Sequence, residues 1–207
     1  MQVILYSPWL DNSFKDLATR YALAAAGRTH KGNKKKLYKF IRHHKGGRQL
    51  GLLNPLVDRL YVLGHGQTAS AFIRADKGMT WSLGYDGEDY EMVSPSGVID
   101  AFPALSPQHL VSNLKSEGLQ KGFVDIRLWC CNQGVMPGDF GQLFAHQLTK
   151  PYPCAKVTVY TGAMKLGTES GRKTGVAFSK PGVRGDAPSD PAHAFKTIFH
   201  PPYPEED

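Results

Sequence analysis

The fold is decided by a short apolar stretch that runs into a histidine, Arg59-Leu60-Tyr61-Val62-Leu63-Gly64-His65-Gly66. Its apolar centre predicts a buried strand that ends just before His65. The same arrangement returns at Val124-Asp125-Ile126-Arg127-Leu128-Trp129-Cys130-Cys131-Asn132-Gln133-Gly134, where a strand runs into two cysteines. A strand end holds a side chain rigidly, and the loop beyond leaves it open to a substrate. The two stretches therefore predict reactive side chains at the ends of two core strands.

Outward from these stretches, the sequence predicts an α/β domain. Further core strands are predicted at 2–7 and 156–160, and short strands at 71–74, 79–83, 90–93 and 176–178. Helices are predicted from Asp11 or Asn12 to Gly27, from Ser106-Pro107 to Gly118, and after Asp139. This alternation predicts a three-layer α/β sandwich, a mainly parallel central sheet with helices on both faces. In such sheets function collects beyond the carboxyl ends of the strands, where His65, Cys131 and Thr161 fall.

Positive charge is concentrated in one segment, residues 28–48. Nine of the 25 lysines and arginines lie there with no acidic residue, so the remaining 16 basic residues face 18 acidic ones. Leu37, Phe40 and Ile41 follow helical spacing, which predicts a basic helical insertion. The rest of residues 1–200 is predicted to be a single domain, and 201–207 a mobile tail. An anionic partner or activator would be bound by lysines of the segment: Lys34, Lys35, Lys36 and Lys39.

The cysteine pattern predicts free thiols. Cys130, Cys131 and Cys154 form a poor disulfide framework, and no Cys or His spacing resembles a zinc site, so we expect no metal or cofactor. Free thiols favour a reducing cytoplasm as the place of synthesis. The first residues do not read as a signal peptide, and no apolar run approaches the ~20 residues of a membrane span. Export from the cell that makes the protein would therefore use a route that needs no cleaved signal.

A histidine and a cysteine at strand ends can form a thiolate–imidazolium pair, the working unit of a cysteine hydrolase. Thiolate attack on a carbonyl carbon gives an oxyanion, for which the backbone N–H groups of Gly66 and Cys131 are candidate donors. His65 would then protonate the leaving amine and activate water. Successive strand residues face opposite sides, so only one of the two cysteines can meet His65, and Cys130 is the fallback nucleophile.

The two motifs, in this chain order, resemble those of the caspase-like (clan CD) cysteine peptidases. The histidine motif matches at Leu60–Gly66, the nucleophile motif at Leu128–Gly134, and the following strand at Val157–Gly162. The resemblance implies a caspase-like fold with Cys131 as nucleophile. It also makes Thr161 and Gly162 candidate substrate-pocket residues. The flanking helices are similar to those of bacterial effectors and toxins, which implies a thiol protease that cleaves target-cell proteins.

Two alternatives stay open. The same pair could perform deamidation or acyl transfer, since these reactions also pass through a thioester. A non-enzymatic module would instead bind an anionic partner through residues 28–48, with salt-sensitive affinity. We rank nucleic acid low among such partners, because the positive charge is confined to one segment and the rest of the chain has a net charge close to zero. Taken singly, His65 would be a strand-end histidine bonded to backbone, and Cys131 a small buried residue. Their pairing favours the catalytic interpretation.

Overall fold

The computed structural model describes residues 1–10, 12, 14–27, 36–44, 47–66, 71–75, 104–131, 137–166, 172–176 and 190–202 of the 207. The helices are α1 (Lys15–Ala26), α2 (Pro107–Ser116) and α3 (Phe140–Gln147). The strands are β1 (Gln2–Ser7), β2 (Leu37–Arg42), β3 (Arg59–Leu63), β4 (Asp125–Trp129), β5 (Lys156–Tyr160), β6 (Ala163–Leu166), β7 (Lys173–Val176), β8 (Asp190–Pro191) and β9 (Lys196–Phe199). Short 3₁₀ turns lie at Gln49–Leu52 and Ala192–Phe195.

A six-stranded sheet forms the centre of the fold, in the order β2-β1-β3-β4-β5-β9. The first five strands are parallel, and β9 lies antiparallel against β5. The predicted core strands are present, because each carries enough apolar residues to be covered on both faces. The strand order reverses at β1, which has β2 on one side and β3 on the other. Such a switch point is where open α/β sheets usually bind their ligands.

Helices cover both faces of this sheet. On one face, Tyr21 of α1 meets the ring of Tyr38 edge-on, with centroids 5.8 Å apart. On the other face, α2 ends at Glu117, which pairs with His43 next to the buried hydroxyl of Tyr6. α3 packs beside α2 and against β5. The predicted α/β sandwich with a mainly parallel sheet is confirmed. None of the helices in the described part of the chain is long and apolar enough to cross a membrane.

The start of α2 shows how local sequence sets a boundary. The Ser106 side chain accepts a hydrogen bond from the His109 N–H at 3.3 Å, and Pro107 occupies the first turn, where a missing N–H costs nothing. Gly118 follows the helix with a φ of +79°, a backbone conformation that favours glycine. Both predicted ends of this helix are therefore confirmed. α1 likewise ends at Gly27 as predicted, although Phe14 is its N-cap residue.

The basic segment corrects the sequence prediction. Residues 37–42 form the edge strand β2, so the predicted helix is wrong there, and residues 28–35 lie outside the described part. Backbone pairing with β1 decides the conformation: the Leu37 N–H donates to the Met1 carbonyl, and the His43 N–H donates to the Ser7 carbonyl. An edge strand can carry Lys39 on its surface while Ile41 is buried, so the lysines do not oppose strand formation.

A second, three-stranded sheet joins β6, β7 and β8. β6 and β7 form an antiparallel pair in which Met164 lies opposite Gly175, and Leu166 opposite Lys173. The sequence predicted a strand at 176–178. The structure has β7 end at Val176, and 177–178 lie outside the described residues. The short strands predicted at 79–83 and 90–93, and residues 203–207 of the predicted tail, also lie outside them. The strand predicted at 71–74 is reduced to single bridges at Ile73 and Arg74.

Candidate active site

His65 is held through its main chain at the carboxyl end of β3. Its N–H donates to the Arg74 carbonyl at 2.8 Å, and its carbonyl accepts from the Arg74 N–H at 2.9 Å. The neighbouring residue Ile73 makes a similar reciprocal bridge with Leu105. The imidazole packs against the Phe14 ring, with centroids 5.3 Å apart. Backbone pairing on one side and a ring contact on the other fix the position of this half-buried histidine.

The register of β3 and β4 sets His65 level with Cys131. Leu63 lies beside Trp129, and the pairing continues one residue further, since the Gly64 N–H donates to the Trp129 carbonyl at 3.4 Å. A Cβ placed on Gly64 would lie 3.1 Å from the Cys130 sulfur, so Gly64 is beside Cys130. His65 and Cys131 follow directly, each two residues beyond the end of the adjacent parallel strands β3 and β4. Neighbouring strands lie about 4.8 Å apart, so both side chains start from neighbouring backbone positions.

Cys131 is half-buried and contacts the second sheet. Its sulfur accepts a hydrogen bond from the Met164 backbone N–H at 3.3 Å. Met164 lies in β6, which begins three residues after the end of β5. A backbone donor next to a cysteine sulfur favours the thiolate, because the ionised form accepts hydrogen bonds more strongly. Sequence reasoning missed this contact, since β6 has no apolar run to reveal it.

Cys130 points away from this contact into the core. It is fully buried against Gly64, and the positions of Trp9 and Ile73 close the same space. Burial, with a smaller contribution from the neighbouring Cys131, raises the pKa of the Cys130 thiol well above its usual range. A buried thiol of raised pKa is a poor nucleophile. The structure therefore favours Cys131 over the fallback residue.

The three free cysteines should differ sharply in reactivity towards a thiol reagent. We expect the folded protein to react at exposed Cys154 and half-buried Cys131, and at Cys130 only after denaturation. The measurement is alkylation followed by peptide mapping, with and without urea. In a Cys154→Ser background, only the Cys131 thiol should react in folded protein, and adding Cys131→Ser should remove that reaction. Rapid labelling of Cys130 in folded protein would contradict this assignment.

The other predicted site residues border the same edge of the sheet. Thr161 follows β5, and both its N–H and its hydroxyl donate to the Phe195 carbonyl, at 2.9 and 3.3 Å. Gly162 is buried between this residue and β6. Gly66 directly follows His65 and is partly exposed. Thr161 and Gly162 therefore connect the end of β5 to the strand that touches the Cys131 sulfur. Their role in a substrate pocket stays a prediction.

A charged cluster lies on the face of the sheet that α1 covers. Asp125 accepts a hydrogen bond from Arg59 at 2.6 Å and another from Arg127 at 2.8 Å. Burial raises the pKa of Asp125, but the two guanidinium groups, Arg127 first, outweigh burial and hold that pKa below its ordinary value. Above them, the Lys173 amine lies 3.1 Å from the centroid of the Tyr61 ring.

The sequence contains only a weak signal for this cluster. Asp125 and Arg127 are alternate residues of β4, so they share a face of the sheet, and register places Arg59 beside Asp125. The contribution of Lys173 could not be predicted, because it comes from a Gly- and Ser-rich part of the chain. Of the four lysines proposed to bind an anionic partner, Lys39 is exposed on β2 and Lys36 is half-buried. Lys34 and Lys35 lie outside the described residues.

The chain was compared with known proteins in two ways. No protein-family model matches its sequence, and no curated protein matches it.

Proposed function

We propose that the protein is a cysteine peptidase of caspase-like fold, with Cys131 as the nucleophile and His65 as the general base and acid. The observation that carries the proposal is the register of β3 and β4, in which Leu63 and Trp129 are partners and the two reactive residues each follow by two positions. The contact between the Cys131 sulfur and the Met164 N–H gives a second reason to choose this cysteine. The α/β sandwich is also the architecture that the sequence resemblance implied.

The proposed reaction has two halves. In the first, His65 accepts the proton of Cys131, and the sulfur bonds to the carbonyl carbon of the peptide. The resulting oxyanion is stabilised by backbone N–H groups, for which Gly66 and Cys131 are the candidates. Collapse of this intermediate breaks the C–N bond, and His65 gives its proton to the leaving amine. In the second half, His65 takes a proton from water, the oxygen replaces sulfur on the acyl carbon, and the proton returns to Cys131.

The biological setting follows from the resemblance to bacterial effector and toxin peptidases. We propose that the substrates are proteins of a target cell. Production of the protein inside such a cell should be toxic only while Cys131 and His65 are both intact. The basic segment at 28–48 would then bind an anionic partner. Lys39, on β2, is an exposed lysine of this segment.

The reaction class is tested by treating a cell lysate with the protein and sequencing the peptides by mass spectrometry. Peptide-bond hydrolysis should create new amino termini that the Cys131→Ala and His65→Ala proteins do not create. The Cys130→Ala protein is the matched control, because it removes the neighbouring thiol, and it should create the same termini as the unaltered protein. A one-unit mass gain on glutamine without new termini would replace hydrolysis by deamidation. New termini that persist in the Cys131→Ala protein would reject the proposed nucleophile.

A further inference from the structure

The β6–β7 hairpin links the Cys131 sulfur to the contact between Lys173 and the Tyr61 ring of the main sheet. At one point of the hairpin, Met164 donates its N–H to the Cys131 sulfur at 3.3 Å. Met164 lies opposite Gly175 in the ladder, and two residues along the same strand, Lys173 lies opposite Leu166. A shift of Lys173 relative to the main sheet would therefore shift the Met164 N–H as well.

Lys173 attaches the hairpin to the two strands that lead to the proposed catalytic residues. Its amine lies 3.1 Å from the centroid of the Tyr61 ring and 5.2 Å from that of Trp129. Tyr61 is in β3, which leads to His65, and Trp129 is in β4, two residues before Cys131. A third ring, that of Tyr21 in α1, lies 5.3 Å from the amine. The Tyr61 and Trp129 rings also contact each other edge-on, with centroids 6.1 Å apart, so the surface under the lysine is continuous.

We propose that Lys173 is a positioning residue for the nucleophile: its side chain fixes the β6–β7 hairpin on Tyr61 and Trp129, and the hairpin thereby holds the Met164 N–H against the Cys131 sulfur. The inference rests on the proposed function in treating this sulfur as the reacting atom. Lys173 does not need to touch the substrate. It acts through a backbone donor two residue pairs away.

The groups around Lys173 predict that its side chain is sensitive to substitution. Asp125, Arg59 and Arg127 lie on β3 and β4 beneath it, Tyr21 is on α1, and Lys36 precedes β2. Burial first, followed by Arg127 and Arg59, holds the pKa of Lys173 well below its usual range, while Asp125 opposes them. The side chain is therefore held by ring contacts in a place that is otherwise unfavourable for a cation. Removing the contacts should release the hairpin.

The experiment measures the pH dependence of Cys131 alkylation by iodoacetamide in a Cys154→Ser background, where Cys131 is the accessible thiol. Lys173→Ala should raise the pH midpoint of the reaction by about one unit, since losing one backbone donor to a thiolate removes about one tenfold factor of its stabilisation. Below the midpoint, alkylation should be about tenfold slower. Lys173→Arg should restore most of the rate, because a guanidinium group can also stack on Tyr61 and Trp129.

The matched control is Lys196→Ala, which removes an exposed lysine from β9 and should leave the midpoint unchanged. A midpoint that stays unchanged in Lys173→Ala would overturn the proposal. Faster alkylation would overturn it too, because the hairpin would then be a cover that hinders access to the sulfur. If Lys173→Ala does not fold, Lys173→Met keeps a long, unbranched side chain without the amine and serves as the second variant. Lys173→Met should raise the pH midpoint by less than the roughly one unit expected for loss of the whole contact. An unchanged midpoint in this variant would contradict the proposal.

The same assay separates this inference from the proposed function. His65→Ala should also change the alkylation midpoint if an imidazole assists the thiol. If His65→Ala has no effect and Lys173→Ala raises the midpoint, the dyad fails and the positioning role stands. If His65→Ala has an effect and Lys173→Ala has none, the dyad stands and the positioning role fails.

Discussion

The Cys131→Ala protein should lose at least about 10³-fold in kcat/KM on a cleavable peptide, and His65→Ala should lose a similar amount. Each substitution removes one half of a unit that works only when complete: the sulfur that bonds to the substrate, or the imidazole that moves the proton. The double variant should therefore be no worse than either single variant, because the effects of residues that act together are not additive. Initial rates of peptide hydrolysis on the four proteins measure this.

Two controls make the result specific. Cys130→Ala removes the adjacent thiol from the opposite side of the strand, and it should leave kcat/KM within a few-fold of the unaltered protein. Circular dichroism and urea unfolding should show that the Cys131→Ala and His65→Ala proteins are folded. Additive losses in the double variant would contradict a cooperating pair. Full activity in Cys131→Ala would remove the basis for the proposed function.

The Glu117→Ala protein should lose about 3–5 kcal/mol of unfolding free energy, the largest stability effect that we expect of a single substitution. The Glu117 side chain is fully buried, and one of its oxygens lies 2.6 Å from the His44 N–H and 3.0 Å from the His43 ring. Burial, together with this carboxylate, raises the pKa of the nearby Tyr6 hydroxyl well above its usual range. Removing the carboxylate leaves the buried His43 ring and the His44 N–H without this acceptor, and it removes the contact between the residues that follow β2 and the end of α2.

Urea unfolding measures this loss. Glu117→Gln keeps an oxygen that can accept from the His44 N–H while removing the charge, so its loss of stability should be smaller. Asp16→Ala, at an exposed position of α1, is the control for removing an acidic side chain and should cost less than about 1 kcal/mol. A Glu117→Ala protein as stable as the Asp16→Ala protein would mean that the buried pair contributes nothing.

The central strands could be predicted because they consist almost entirely of apolar residues. Leu60–Leu63 and Val157–Tyr160 have hardly any polar residue, and such runs fit a strand that is covered on both faces. The chain order of these strands and the helices between them was enough to predict a parallel sheet. It was also enough to predict that His65 and Cys131 follow strand ends at the same edge.

The edge strands could not be predicted in the same way. In β2 the apolar residues Leu37, Phe40 and Ile41 have spacings that suit a helix. The segment forms a strand because its backbone pairs with β1. β9 is four residues long and carries Lys196 at its start, so it has no recognisable pattern. Its place beside β5 is a tertiary contact between distant parts of the chain. The hairpin that contacts Cys131 was missed for the same reason.

The opposite orientation of the two neighbouring cysteines has a consequence for oxidation. If peroxide converts Cys131 to a sulfenic acid, its recovery as a disulfide requires a second thiol whose Cα lies within about 7 Å and whose side chain points towards the same side. Cys130 is turned into the core on the other side of the strand, under Gly64. Cys154 precedes β5 at the far edge of the sheet, and the five residues of that strand separate the two edges by about 16 Å. The described chain therefore offers no internal partner to rescue the oxidised sulfur, and its reduction requires a thiol from another molecule.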